Sequence, residues 1–66
     1  MPTDKEVFLK QRLEKYEGML REVNRAIAAE TRVPISQRDP ERCTFLYCER
    51  KQIEAIIAEL TAVANA

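Results

Sequence analysis

The sequence has no histidine, no tryptophan, one glycine and two cysteines. Each shortage closes a route. Without histidine, a general base would have to be a carboxylate, lysine or tyrosine with a shifted pKa, which requires a water-excluded pocket. Two thiols and no imidazole fall short of the four ligands of an ordinary structural zinc site. A single glycine cannot build a glycine-rich phosphate loop. Net charge is missing as well: 11 basic residues balance 11 acidic ones, so no bulk attraction draws the chain to nucleic acid or an anionic membrane. No apolar run approaches the ~20 residues of a membrane span. The charged start Met1-Pro-Thr-Asp-Lys-Glu is not expected to act as a signal peptide. The expectation is a cytoplasmic protein that is no enzyme and carries no cofactor or metal.

What the chain does contain is 45% hydrophobic and 33% charged residues within 66 positions, a mix suited to amphipathic helices rather than a disordered tail. A chain this short buries only ~60% of its unfolded surface, and usually needs disulfides, a metal or association to be firmly stable. With the first two poorly supplied, association is the expected route.

The first helix is announced by Thr3-Asp-Lys-Glu6, a capping box with acidic residues at the positive end of the helix dipole. From there Leu9, Leu13, Tyr16, Leu20, Val23 and Ile27 recur at spacings of 4, 3, 4, 3 and 4, an apolar coiled-coil seam. Gly18 lies off the seam, where it weakens the helix by ~1 kcal/mol. Glu17 and Arg21 form a favourable i,i+4 pair on paper. The pattern stops near Glu30, and Thr31 to Asp39 reads as a loop because Pro34 blocks helix continuation. Asp39-Pro40-Glu41 then supplies a cap, a first-turn proline and a dipole-matched acid. The second helix carries Leu46, Ile53, Ile56, Ile57, Leu60, Val63 and Ala64 within an arc of ~120°. The boundaries are a helix over about 4–30, a loop over about 31–39 and a helix over about 40–64. Matched lengths and a connecting loop of about nine residues predict an all-α fold, an antiparallel, coiled-coil-like two-helix hairpin.

Two helices bury only one stripe each against the other, so the hairpin is expected to be completed by oligomerisation or by a helical partner. Phe8, Met19 and Ala26 project ~80–100° to one side of the first seam. The cluster Cys43-Thr-Phe-Leu-Tyr-Cys48 crowds too much apolar surface into the first turns of the second helix for a single face. One reading lets Phe45 close the hairpin over Ile27 with Tyr47 flat on the surface. The other makes Phe45 or Tyr47 the anchor of a partner-binding patch. The candidate partner-binding residues are Phe8, Met19, Phe45, Leu46, Tyr47, Ile56 and Val63.

Cys43 and Cys48 stand ~140° apart on a helix and cannot pair with each other while it is intact; they read as buried or semi-buried thiols. Arg32, Arg38, Arg42, Arg50 and Lys51 gather near the loop, diluted by Asp39, Glu41 and Glu49. A DNA-binding helix-turn-helix uses a shorter turn that often contains glycine, so nucleic acid is not the expected partner.

The run Gln11-Arg-Leu-Glu-Lys-Tyr-Glu-Gly-Met-Leu20 and the segment Asp39-Pro-Glu-Arg-Cys-Thr-Phe-Leu-Tyr-Cys-Glu-Arg-Lys-Gln-Ile-Glu54 resemble the small E-component co-chaperones of type III secretion needle subunits. That resemblance implies a cytoplasmic hairpin that supports a TPR-like chaperone and helps keep a needle subunit monomeric before export. Phe45, Leu46 and the aliphatic stripe of the second helix would be its packing positions. The alternative is a self-associating homodimer, a four-helix-bundle adaptor or regulator, with loop arginines available to nucleic acid.

Overall fold

A computed structural model describes all residues, Met1 to Ala66. Helix α1 spans Asp4–Thr31, a 3-10 turn spans Ile35–Gln37, and helix α2 spans Pro40–Ala64. The helices pack against each other as an antiparallel hairpin with no strand.

Both helix starts follow from their capping residues. The Glu6 amide donates to Thr3 Oγ1 at 3.2 Å; of the two bonds in a capping box, this is the one that forms. Asp39 Oδ1 accepts from the amides of Glu41 (3.0 Å) and Arg42 (3.3 Å), and Pro40 occupies the first turn, where no amide is needed. The Glu17–Arg21 pair does not form. The ion pairs are Arg42–Glu30 and Arg50–Glu54.

The end of α1 is built differently from the many helix ends that turn through a left-handed residue, usually glycine. No residue here has positive φ, and Arg32 ends the helix in right-handed geometry. The amides of Arg32 and Val33 turn back to Ala29 O and Glu30 O, and Arg38 adds to this backbone cap from six residues on: its Nη2 donates to Thr31 O and its Nε to Val33 O, each at 2.7 Å. A guanidinium on the last carbonyls also places positive charge at the negative end of the α1 dipole. The loop is thereby folded into a 3-10 turn, with the Gln37 amide bonded to Pro34 O at 2.8 Å. Sequence periodicity registers apolar stripes, not a side chain reaching backwards, so this order was invisible to it.

The core is thin. Leu9, Val23, Ile27, Leu46 and Ile53 are buried, and no side chain is fully sealed from solvent. Val23, Ile27, Leu46 and Ile53 form one cluster, with Tyr16, Leu20, Ala26 and Ile57 packed against it. That cluster occupies the half of the hairpin nearest the loop. Two polar contacts fix the register there: Arg42 Nε to Glu30 Oε1 at 3.0 Å, and Arg50 Nη1 to Asn24 Oδ1 at 3.5 Å. The same register carried to the free ends places Leu9 beside Ala64, and both line one open groove there.

Candidate interaction face

The α1 seam Leu9, Leu13, Tyr16, Leu20, Val23, Ile27 meets an α2 seam with the same 4-3 steps: Leu46, Arg50, Ile53, Ile57, Leu60, Ala64. A second row runs beside each seam, one residue earlier. On α1 this row is Phe8, Arg12, Lys15, Met19, Glu22, Ala26; on α2 it is Phe45, Glu49, Gln52, Ile56, Glu59, Val63. One residue earlier means a rotation of 100° backward around the helix. The two helices run in opposite directions and also face each other. These two reversals cancel, and both rows fall on the same side of the hairpin. The packing agrees, since Met19, Glu22 and Ala26 of α1 line a shallow groove together with Leu46 and Glu49 of α2.

The two rows share one chemical pattern: apolar at the first, fourth and sixth places, polar between. Phe8, Met19 and Ala26 answer Phe45, Ile56 and Val63. Phe8 is 52% exposed, Phe45 63% and Val63 45%, while Met19 is at the edge of exposure and Ile56 is half-buried. Arg12 lies over the Phe8 ring, 5.1 Å from its centroid. Apolar patches thus recur along this side of the hairpin, Phe8 with Val63, Met19 with Ile56 and Ala26 with Phe45, separated by polar residues.

Five of the seven candidate residues therefore converge: Phe8, Met19, Phe45, Ile56 and Val63. The other two do not. Leu46 is 6% exposed and belongs to the hairpin core against Val23 and Ile27, because it sits on the α2 seam itself. Tyr47, one step further round, lies on the opposite side, near Thr31, Arg38 and Cys43, with Arg50 stacked 5.1 Å above its ring. Phe45 does not close over Ile27; it stands out on the open face. The crowding of residues 43–48 is resolved by distributing them around α2, one in the core and one on each flank.

The basic residues near the loop are largely engaged within the hairpin. Arg38 caps α1, Arg42 pairs with Glu30, and Arg50 contacts Asn24, Glu54 and Tyr47. Cys43 is half-buried, whereas Cys48 is exposed rather than semi-buried, pointing away from the seam. Sequence reading missed the polar members of the face, Arg12, Lys15, Glu22, Glu49, Gln52 and Glu59. Their signal was present as a second 4-3 row, masked because charged residues at helical spacing ordinarily read as solvated surface. It also missed Ile35, 80% exposed at the loop tip. No helix is long and apolar enough to cross a membrane. Compared with protein-family models, with curated proteins and with solved structures, the chain matches none.

Proposed function

We propose that this chain is a protein-interaction module, a chaperone or adaptor subunit that acts by burying its apolar face against other helices, with no chemical step. The observation that carries this reading is the alignment of Phe8, Met19, Phe45, Ile56 and Val63 on one side of a hairpin whose own small core does not include them. The surface area supports it. A compact monomer of this 7.7 kDa mass exposes roughly 4,300 Å², whereas the hairpin exposes 5373 Å². The excess of about 1,000 Å² is close to what one partner buries in a standard interface. In the heteromeric form of this role, which the resemblance to needle co-chaperones implies, the face would cover helices of a chaperone and its cargo.

Photo-crosslinking tests the face directly. A crosslinking side chain placed at Met19 or Ile56 in the intact chain should give a defined adduct in cells, while one at Tyr47 should not. Equal yields from both sides, or none from Met19 and Ile56, would sink the reading.

A further inference from the structure

We propose that α2 carries a redox switch: Cys43 and Cys48 form a disulfide only in a chain whose α2 has unwound at its start, so that this bond and the folded hairpin exclude each other. Spacing, the residues enclosed and thiol access each contribute to the argument.

Both cysteines are free and lie within the helical range Pro40–Ala64. Five residues along a helix combine a rise of ~7.5 Å with a rotation of ~140°, which sets the two Cα atoms about 8.7 Å apart. A disulfide tolerates at most ~7 Å without backbone movement. No side-chain rotation closes the gap, and the backbone between the thiols must leave the helix.

Leu46 stands between them. It is 6% exposed and belongs to the buried cluster with Val23, Ile27 and Ile53. Closing the ring from Cys43 to Cys48 withdraws it from that cluster. The Asp39 cap and the Arg42–Glu30 contact then no longer lead into a continuous helix. Phe45 lies in the same ring, so oxidation also removes it from the open side of the hairpin. That last consequence rests on the interaction face proposed above; the switch itself does not.

Cys48 is exposed, whereas Cys43 is half-buried and lines a small cavity with Ile27, Leu46 and Tyr47. The oxidant is a low-molecular-weight disulfide. Cys48 Sγ, as the thiolate, attacks one of its sulfurs, forming a mixed disulfide and expelling one thiolate, which takes up the proton that Cys48 gave. Once the helix opens, Cys43 Sγ attacks Cys48 Sγ in the same way and expels the second thiol. Two cysteine thiols are oxidised and one external disulfide is reduced to two thiols. In the folded hairpin the second step is blocked, and the reaction halts at the Cys48 adduct.

The test is equilibration of the dilute full chain with mixtures of oxidised and reduced glutathione in rising urea, with products resolved by mass. The ring product is lighter than the reduced chain by two hydrogen atoms. Its ratio to the reduced chain should rise about tenfold for each tenfold rise in the unwound fraction, because only that fraction can close the ring. Isolated and returned to urea-free buffer, it should lack at least the helical signal of Pro40 to Cys48 and regain it on reduction. Cys48→Ser, at an exposed position where folding is not at stake, should stay helical under the same oxidant. A ring product as helical as the reduced chain would overturn the switch, as would a ring yield indifferent to urea or no ring at any urea concentration. Helicity lost in Cys48→Ser would assign the effect to an adduct on Cys43 and overturn the pair. None of these readouts involves a partner, so they stand apart from the fate of the interaction face.

Discussion

Arg42 reaches from the first turn of α2 to the last turn of α1, where its Nε lies 3.0 Å from Oε1 of Glu30. Glu30 keeps only 17% of its side-chain exposure, against 56% for Arg42, so the carboxylate is the sheltered partner. The contact joins the helices beside the loop and holds the register there. A double-mutant cycle with Glu30→Gln and Arg42→Ala should give a coupling of about 1 kcal/mol, the upper end for partly exposed pairs. Urea unfolding followed by circular dichroism measures it; additive effects would show that the register is held elsewhere.

Gly18 has ordinary helical geometry, and an added Cβ would meet nothing closer than the flexible Arg21 guanidinium at 3.7 Å. Gly18→Ala should therefore stabilise the hairpin by about 0.5–1 kcal/mol. A rise in the urea midpoint with an unchanged slope is the expected result. A fall would mean that the backbone must approach something at this position.

Arg50 occupies a seam position between Leu46 and Ile53, and answers for it with contacts to Asn24, Glu54 and Tyr47. A polar residue on a seam fixes register at some cost in stability. Arg50→Leu should raise the stability of the folded chain by about 1 kcal/mol and loosen the register. The first is read from thermal melting and the second from broadened amide signals in NMR spectra. A lower melting temperature would show that the arginine contacts outweigh the apolar contact they displace.

Cys48 is exposed and Cys43 half-buried. Under native conditions an aromatic disulfide reagent should modify Cys48 roughly tenfold faster than Cys43, access being the difference, and the two rates should converge in denaturant. Mass mapping of the first adduct identifies the site. Modification of Cys43 first would mean that α2 opens near the loop more readily than its packing implies.

The hairpin itself was legible in the sequence because its makers are local. Thr3, Asp39 and Pro40 mark helix starts through bonds to neighbours within three residues, and the Leu9 to Ile27 spacing is a one-dimensional signal of a one-sided burial. The face was half legible. Phe8, Met19, Phe45, Ile56 and Val63 stand out as apolar residues off the main seam. That they share a side depends on how two antiparallel helices face each other, a relation that no single helix contains. Leu46 and Tyr47 were placed with them because residues adjacent in sequence look like one patch, although successive residues on a helix point 100° apart. The Arg38 cap was not legible at all, since it depends on the path of the turn it helps to create.

The buried cluster of Val23, Ile27, Leu46 and Ile53 lies toward the loop, while toward the free ends Leu9 alone is buried, and it lines an open groove with Leu13 and Ala64. Mechanically the molecule is a clip with a firm hinge and weak jaws. Amide exchange should run fastest at both termini and slow steadily toward the loop, as local opening spreads from the thinnest packing. Folding should begin at the turn, where the contacts are closest in sequence.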